Sequence, residues 1–403
     1  MMNGYFDNNA NYPISNETIL DYVKGCTIGN VGCHTKMAQK GRQLIDNFKS
    51  FIENEFSTAT TKYKVIITSG GSESNSTAIS HHLYQTRMIR NVRPHFVSST
   101  VEHPSITEYM LRLEKDGIAD VSWVKPQSNG ETLIADIMGV VDANTTCVFL
   151  QSVNSETGCV QNIAGLQREL ARLGVPLHVD HVQGYRKTRY PNGVGDTISL
   201  SLHKIGAPLG IGILVYRGEL TPLIAGKQND NMRGGTYNIG TIAAASGVLQ
   251  KFQMREMKLF KLFFMQELSK YYDIIPYANL NSNLNQYLVA SKQKPIIILF
   301  SDERCLPHTI FMSILLDGEV LCGGVVKEIM FREGYTIATG TACNSEPTKD
   351  KNPIGSMTSS NIAEELKPGF VRISFNNNIN EKILRKFASK FNSMNKLLLK
   401  KQT

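Results

Sequence analysis

The feature of this sequence that most constrains its fold is the alternation, between residues 60 and 217, of short β-branched runs with helical stretches. The predicted strands are Lys64–Ser69, His95–Val101, Cys147–Asn154, Pro176–Gln183, Asp196–His203 and Gly210–Arg217, and the predicted helices are Glu73–Thr86, Ser105–Lys115 and Ala164–Leu173. Strands that alternate with helices form an open, mostly parallel sheet flanked by helices. The sequence therefore predicts an α/β domain.

The rest of the chain predicts a second, smaller α+β domain. A long helical pattern at Ile239–Tyr271 leads to strand patterns at Lys294–Asp302 and Thr336–Thr339 and then to an amphipathic C-terminal helix. We place the large domain at residues 14–262 and the small domain at residues 1–13 and 263–403.

Composition and charge exclude several classes of protein. With 41% hydrophobic and 19% charged residues in 403, the chain can bury a large core. Residues 381–403 contain seven basic residues and one glutamate, which supply most of the net charge of +8. The apolar residues of this segment recur at the spacing of a helix that packs on the protein and exposes its charged face to solvent, so no nucleic-acid partner is expected. No apolar run approaches the ~20 residues of a membrane helix. The seven cysteines contain no C-x-x-C pair, which favours a reducing, cytoplasmic location over a disulfide framework.

The segment Ile67-Thr-Ser-Gly-Gly-Ser-Glu-Ser-Asn75 carries a predicted strand through a Gly-Gly turn into a helix. Backbone N–H groups at a helix N-terminus bind anions, and the Ser72 hydroxyl stands beside them. Ser72 is equally suited to cap the helix. Gly71 and Ser72 are therefore candidates for a phosphate site, with a simple helix cap as the alternative.

Asp180 and Lys204 end two successive predicted strands, and ligands of parallel sheets bind outside the carboxyl ends of the strands. A buried Asp180 requires a cationic partner. A metal site is not expected, because the alternation of a strand places His178 and His181 on opposite faces. Apolar surroundings disfavour the ammonium form of Lys204 and activate its amine, although a solvent-facing lysine is the alternative.

The order of these motifs matches the requirements of pyridoxal 5′-phosphate (PLP). This cofactor needs a lysine for its aldehyde, a carboxylate that keeps the pyridine nitrogen protonated, and a phosphate cradle. His103 follows another predicted strand and is suited to stack on the ring, and Asn154 closes a further strand. We therefore predict PLP as the cofactor.

Further motifs extend the pattern over nearly the whole chain. They are Tyr5-Phe-Asp-Asn-Asn-Ala10, Glu102-His103-Pro104, Val153-Asn-Ser-Glu-Thr-Gly158, Arg233-Gly-Gly-Thr236, Thr339-Gly-Thr-Ala-Cys343 and Val371-Arg-Ile-Ser374. Together, the motifs resemble the cysteine desulfurases of the NifS and IscS type, which belong to the class V aminotransferase superfamily and have PLP fold type I. The cysteine motif, followed by an arginine 29 residues later, is the most specific of them.

This resemblance implies a role for each candidate residue. Lys204 binds the cofactor and moves the substrate α-proton, His103 stacks on the ring and acts as acid and base, and Cys343 is the nucleophile. The implied binding residues are Asp180 for the pyridine nitrogen, Gln183 for the ring oxygen, Gly71, Ser72, Ser201, His203 and the neighbouring subunit's Thr236 for the phosphate, and Asn154 and Arg372 for the substrate.

The implied reaction converts L-cysteine to L-alanine and leaves a persulfide on Cys343 for a sulfur-acceptor protein. A homodimer is implied, because Thr236 reaches a neighbouring site in this family. Since the resemblance starts at Tyr5, no transit peptide is expected. Two alternatives remain open: a selenocysteine lyase, which shares the machinery, and a lapsed member that acts as a binding or scaffold protein. Residues 344–367 lack the family's usual helix, so the acceptor and the pathway, such as iron–sulfur cluster assembly, stay undetermined.

Overall fold

A computed structural model describes residues 4–280, 283–340 and 354–399 of this chain. The helices are α1 (Asn16–Cys26), α2 (Lys36–Phe56), α3 (Gly71–Tyr84), α4 (Pro104–Lys115), α5 (Ile134–Met138), α6 (Ile163–Leu173), α7 (Ile239–Lys251), α8 (Lys258–Ser269), α9 (Leu284–Ala290), α10 (Gly323–Arg332) and α11 (Glu381–Leu399). The strands are β1 (Lys64–Thr68), β2 (His95–Ser99), β3 (Asp120–Val124), β4 (Thr145–Gln151), β5 (Leu177–Asp180), β6 (Thr197–Ser201), β7 (Gly212–Tyr216), β8 (Asp273–Pro276), β9 (Ile296–Leu299), β10 (Thr309–Leu316), β11 (Glu319–Leu321), β12 (Ala338–Thr339) and β13 (Val371–Ser374).

The first sheet has seven strands in the order β1-β7-β6-β5-β4-β2-β3. Strand β7 is antiparallel to both of its neighbours, and all other strands of this sheet run in one direction. The predicted α/β fold with a mostly parallel sheet is thereby confirmed. Strand β3 was not predicted, because its half-buried sequence Asp-Val-Ser-Trp-Val lacks the apolar run that marks the central strands.

Several predicted strands extended too far at their carboxyl ends. Strand β4 ends before Asn154, β5 before Gln183 and β6 before His203. These polar residues lie in the turns after their strands, where the backbone is no longer paired in the sheet. The side chains that the sequence placed on strand ends are thus carried by turns at the edge of the sheet.

Helices cover both faces of this sheet. Helices α3 and α4 pack on one face in a cluster that includes Phe149. Helices α2, α6 and α7 pack on the other face with Val148 and Leu150. Because neighbouring residues of β4 point to opposite faces, both faces of the strand are buried, as expected for a parallel sheet. Gly174 ends α6 with a left-handed φ of 66°, a conformation that favours glycine.

The predicted continuous helix at Ile239–Tyr271 is wrong. The chain forms two helices, α7 and α8, separated by the extended residue Phe252 and the segment up to Met257. The side chain of Asn377 accepts a hydrogen bond from the N–H of Arg255 at 3.0 Å and donates one to the carbonyl of Gln253 at 2.8 Å. These contacts with a distant part of the chain hold the break open, so the local helical pattern does not decide the conformation.

The second sheet has the order β12-β13-β10-β9-β8, with β11 paired to β10. Phe6 from the N-terminal segment stacks on Phe387 of α11, with ring centroids 3.9 Å apart. Isolated bridges also pair Tyr5 with Thr336 and Asp7 with Ser374. The N-terminal segment therefore packs with the second sheet. The division into two domains at residue 262 stays a prediction, and that residue lies within α8.

Among the described residues, no helix combines the length and the apolarity that crossing a membrane requires.

The packing of Phe6 predicts the effect of its removal. Phe6→Ala should lower the free energy of unfolding by about 3–5 kcal/mol, because the buried ring would leave a cavity beside Phe387. The matched control is Phe331→Ala, since this ring is 66% exposed and its loss should cost about 0.5 kcal/mol or less. Urea unfolding followed by circular dichroism measures both, and equal losses would contradict the assignment of Phe6 to the core.

Candidate active site

The predicted site residues meet at one edge of the seven-stranded sheet. Strands β1, β2, β4, β5 and β6 run in the same direction, so their carboxyl ends face the same edge. The turns after these strands carry Gly71, His103, Asn154, Gln183 and Lys204. Residues distant in sequence are therefore brought to one cleft by the direction of the strands.

The N-terminus of α3 is open within the described structure. Gly70 is its N-cap, and no side chain caps the helix, so the alternative in which Ser72 caps it is wrong. A Cβ atom on Gly71 would lie 2.8 Å from Val182 Cγ2 and 3.3 Å from Ser201 Cβ. Glycine is therefore required for this close approach. The uncapped N–H groups, with the Ser72 and Ser201 hydroxyls nearby, form a cradle suited to an anion.

The carboxylate of Asp180 is buried at the end of β5. Its Oδ2 accepts a hydrogen bond from Asn75 Nδ2 at 2.9 Å, and its Oδ1 accepts one from the Val182 N–H at 3.0 Å. Both groups that donate to Asp180 within the described structure are neutral. The expected cationic partner is therefore not a neighbouring side chain, and the charge of Asp180 is available to a cationic ligand.

Asn75 is a site residue that was not predicted from the sequence. It is held by His178, whose Nε2 lies 3.1 Å from Asn75 Oδ1, so that the Asn75 amide points its Nδ2 at Asp180. His178 faces α3, whereas His181 contacts Ser152 with its Nδ1 at 2.7 Å. The only sequence signal for Asn75 is its place in the Ser-Glu-Ser-Asn segment that follows the Gly-Gly turn.

His103 interacts electrostatically with both Asp180 and Lys204. Its Nδ1 accepts a hydrogen bond from the Ser105 N–H at 3.1 Å, which makes His103 the cap of α4. Desolvation by the surrounding protein lowers the pKa of the imidazole. Lys204 acts in the same direction, whereas Asp180 acts in the opposite direction. The lowered pKa favours the neutral form of this imidazole.

Lys204 follows β6 in a short 3₁₀ turn. Its Nζ donates to the carbonyl oxygens of Asn9 and Ala10 at 2.9 and 2.8 Å. The same Asn9 oxygen accepts a hydrogen bond from Gln183 Nε2 at 2.8 Å. The N-terminal Asp-Asn-Asn-Ala motif thus fixes the position of both predicted cofactor ligands.

Lys187 is a second amine in the cleft, and sequence analysis missed it. Its Nζ donates to Gln183 Oε1 at 3.2 Å, which turns the amide Nε2 of Gln183 toward Asn9. Burial, together with the charges of Lys204 and Arg372, lowers the pKa of Lys187 to about 7. No local pattern distinguishes this lysine from a surface residue, since it stands in a polar turn with Arg186.

His203 points its Nδ1 at Asn11 Oδ1, 3.0 Å away. Burial and the nearby Lys204 lower the pKa of its imidazole to about 3, so the ring is neutral at physiological pH. Its predicted contact with a phosphate stays a prediction. The same applies to Ser201, although its side chain lies against the open end of α3.

Arg372 of β13 reaches the cleft from the second sheet and is buried. Its two terminal nitrogens donate to Asp7 Oδ1 at 2.6 Å and to the Ser155 carbonyl at 3.0 Å. Ser155 directly follows Asn154, so the two predicted substrate residues are neighbours. Each terminal nitrogen carries a second N–H, and Nε has no hydrogen-bond partner among the described residues, so three N–H groups remain for a ligand such as a carboxylate.

Two other predicted site residues are not placed in this cleft. Cys343 lies outside the described residues. Thr236 lines a surface depression with Lys49 and Tyr237. Within residues 4–280, Thr236 makes no hydrogen bond to Gly71, Ser72 or Ser201, and its role toward a neighbouring subunit stays a prediction.

Two buried glutamates, Glu102 and Glu156, lie beside the cleft, and burial raises the pKa of each to about 8. Glu102 accepts a hydrogen bond from Ser99 Oγ at 2.5 Å, and Glu156 accepts one from the Met357 N–H at 2.5 Å. Both carboxyl groups are therefore largely protonated at neutral pH and add little negative charge near Asp180.

The raised pKa of Glu102 predicts a pH-dependent stability. Between the ordinary pKa of 4.5 and the raised pKa of about 8, the folded state keeps this proton whereas the unfolded state loses it. The contribution of the protonated Glu102 to the free energy of unfolding is therefore full below pH 4.5 and is lost as pH rises to 8. Relative to Glu102→Gln, the wild type should lose on the order of 1 kcal/mol of unfolding free energy per pH unit in this window. Urea unfolding at pH 5, 6.5 and 8 measures the difference. The exposed Glu108→Gln is the control and should show no such trend; a flat difference for Glu102→Gln would contradict the burial argument.

Comparison with known proteins places the chain in a family. The family described as aminotransferase class-V matches residues 4–386. A relative from Bacillus subtilis, named putative cysteine desulfurase NifS, is 27% identical over 92% of this chain and 89% of its own length. A selenocysteine lyase from Rattus norvegicus is 31% identical over 59% of this chain and 63% of its own length.

A solved structure titled NifS-like protein has the same fold. Superposition of the two structures gives a TM-score of 0.75 at 20% sequence identity, and it covers 98% of this chain and 99% of the NifS-like protein. The resemblance to the NifS and IscS type that the motifs indicated is confirmed. The chain belongs to the class V aminotransferase family.

Proposed function

We propose that this chain is a PLP-dependent cysteine desulfurase that converts L-cysteine to L-alanine and retains the sulfur as a persulfide on Cys343. The activity predicted from the sequence is the one named for the Bacillus subtilis relative, which aligns along nearly the whole chain. The proposal rests mainly on one observation: Lys204, Asp180 and the uncapped N-terminus of α3 lie at the same edge of the sheet, and the hydrogen-bond partners of Asp180 are neutral.

The residues of this cleft fit PLP. The uncapped end of α3, with Ser72 and Ser201, would hold the phosphate, and Asp180 would hold the protonated pyridine nitrogen. His103 would cover one face of the ring, and Gln183 would donate to its oxygen. When bound, PLP supplies an aldehyde that reacts with amines and an electron-withdrawing ring that stabilises the negative charge left when the substrate α-proton is removed.

Substrate binding is assigned to Arg372 and Asn154. The buried guanidinium of Arg372 keeps three N–H groups from which the substrate carboxylate can accept, in addition to its hydrogen bonds with Asp7 and Ser155. Asn154 is fixed beside it, because its Oδ1 accepts hydrogen bonds from the N–H groups of Glu156 and Thr157 at 2.9 and 2.8 Å. This arrangement orients the amino acid with its amine toward Lys204.

Proton movement is assigned to Lys204 and His103. The amine of Lys204 is the base for the substrate α-proton, and Asn9 and Ala10 hold its Nζ in place. The nearby Lys187 has a lowered pKa, so the cleft does not have to hold two full ammonium charges at neutral pH. His103, with a lowered imidazole pKa, supplies and takes up protons on the other side of the cleft.

Sulfur transfer is assigned to Cys343. Its thiolate attacks the sulfur of the bound cysteine, an S–S bond forms, and the carbon–sulfur bond of the substrate breaks with its electron pair left on the carbon fragment. That fragment takes up a proton and leaves as L-alanine. A second thiol of an acceptor protein then removes the outer sulfur from Cys343.

The assembly is proposed to be a homodimer. The position of Thr236, away from the phosphate cradle of its own chain, supports a role for this residue in a neighbouring site. L-cysteine is the proposed substrate, and a sulfur-acceptor protein is the proposed partner. A cytoplasmic location stays a prediction from the sequence.

A selenocysteine lyase is the second candidate, because the rat relative with that name is 31% identical over the aligned region. The two activities differ in the element released. Parallel assays with L-cysteine and L-selenocysteine separate them: a desulfurase releases L-alanine from both, whereas a strict lyase releases it from L-selenocysteine alone.

The role of Cys343 is tested by Cys343→Ser. The variant should keep its bound cofactor, but release of L-alanine from L-cysteine should fall by about 100-fold or more, because no thiolate remains to accept the sulfur. Cys322→Ser, which removes an exposed cysteine, is the matched control and should keep wild-type activity. Mass spectrometry of the wild type after brief exposure to substrate should place the persulfide on Cys343. Wild-type alanine release by Cys343→Ser would overturn the desulfurase proposal.

The cofactor is tested by Lys204→Ala. The wild type should be yellow and should retain PLP covalently after borohydride reduction, whereas Lys204→Ala should retain none because its side chain has no amine. Lys62→Ala, which changes an exposed lysine, should behave as the wild type. Absorbance spectra and mass spectrometry of the reduced proteins give the answer. A colourless wild type that takes up no PLP would refute the proposal.

A further inference from the structure

We propose that Cys159 and Cys305 form a site of reversible oxidation, at which a peroxide converts the two thiols to a disulfide that links the two sheets. Cys159 lies in the turn after β4, and Cys305 lies in the connection between β9 and β10. The two residues oppose each other in an isolated antiparallel bridge. The proposal concerns these two cysteines and does not depend on the desulfurase activity.

The backbone around the pair has the geometry that a disulfide needs. The Val160 N–H donates to the Arg304 carbonyl at 3.1 Å, and the Leu306 N–H donates to the Gly158 carbonyl at 2.8 Å. These hydrogen bonds flank the cysteines and make them a non-hydrogen-bonded pair, for which the Cα atoms are about 4.5 Å apart. Disulfides span Cα separations of about 4.4–6.8 Å. A bond between the two sulfurs therefore requires little backbone movement.

The two side chains already meet. The Cys305 thiol is close enough to that of Cys159 to raise the pKa of Cys159, and burial acts in the same direction. The Cys305 sulfur also approaches Asp302 Oδ1 at 3.6 Å. Cys147 is buried as well, but the residue opposite it on the neighbouring strand β2 is Phe96 and not a cysteine. Burial alone therefore does not explain the pairing of Cys159 and Cys305.

The order of the steps follows from exposure. Cys305 is 6% exposed and Cys159 is 0% exposed, so hydrogen peroxide reaches Cys305 first. The Cys305 sulfur attacks one peroxide oxygen, the O–O bond breaks, and a sulfenic acid and one water form. The Cys159 sulfur then attacks the sulfenic sulfur and releases the second water. In sum, two thiols lose two protons and two electrons, and the peroxide is reduced to two waters.

The link would fix a turn that belongs to the candidate active site. The Asn154 N–H donates to the Cys159 carbonyl at 2.9 Å, and Ser301 Oγ donates to the Thr157 carbonyl at 2.9 Å. Residues 154–160 thus already rest against the segment that carries Cys305. A covalent bond at this point would close a loop of well over one hundred residues, which restricts the unfolded chain.

The experiment uses the full-length, PLP-loaded protein treated with hydrogen peroxide, alkylated with N-ethylmaleimide without reduction, and digested. Mass spectrometry should detect a cross-linked peptide that joins Cys159 to Cys305 and is two hydrogens lighter than its components. The melting temperature should rise by roughly 2–10 °C and return to its starting value with dithiothreitol.

Matched variants separate this site from the other cysteines. Cys305→Ser should abolish both the cross-link and the rise in melting temperature, and Cys159→Ser should do the same if it folds. Cys147→Ser should preserve both, because Cys147 is buried without a cysteine opposite it. The proposal is overturned if peroxide yields sulfinic acid on Cys305 without a cross-link, or if Cys305→Ser retains the peroxide-dependent rise.

Discussion

The ion pair between Arg372 and Asp7 is the contact on which the arrangement of the cleft depends. Arg372 comes from the second sheet, and Asp7 comes from the N-terminal segment, which also packs Phe6 into the core around α11. The residues that follow Asp7 supply the carbonyls that hold Lys204 and Gln183. A buried guanidinium without a carboxylate would be strongly unfavourable, so this pair keeps the segment in place between the two sheets.

The balance of charge in the cleft follows from burial. Positive groups dominate: burial, together with the nearby charges of Lys204 and Arg372, lowers the pKa of Lys187 to about 7. The buried Glu102 and Glu156 do not offset them at neutral pH, because burial raises the pKa of both. An anionic phosphate and a substrate carboxylate would therefore be attracted to the cleft, while Asp180 remains the carboxylate free to pair with a cationic ring nitrogen.

The turn after β4 connects the two parts of the protein in another way. Asn154 and the Ser155 carbonyl contact the site, Glu156 holds the Met357 N–H, and Cys159 faces Cys305. This one turn therefore contacts three parts of the protein: Arg372, which forms the ion pair with Asp7; Met357, in the segment after residue 353; and Cys305, in the connection between β9 and β10. A change in the chemistry of Cys159 would act on Asn154, because the Asn154 N–H donates a hydrogen bond to the Cys159 carbonyl.

The sequence by itself determined the parallel sheet, the helices α3, α4, α6 and α11, and the family, because hydrophobic periodicity and short motifs are local properties of the chain. It also placed Asp180, Lys204 and His103 at strand ends, where the direction of the strands brings them together. Only the tertiary structure decided the break between α7 and α8, the neutral donors of Asp180, the role of Lys187 and the pairing of Cys159 with Cys305. Each of these depends on contacts between residues far apart in the chain, and such contacts leave no periodic signal in the sequence.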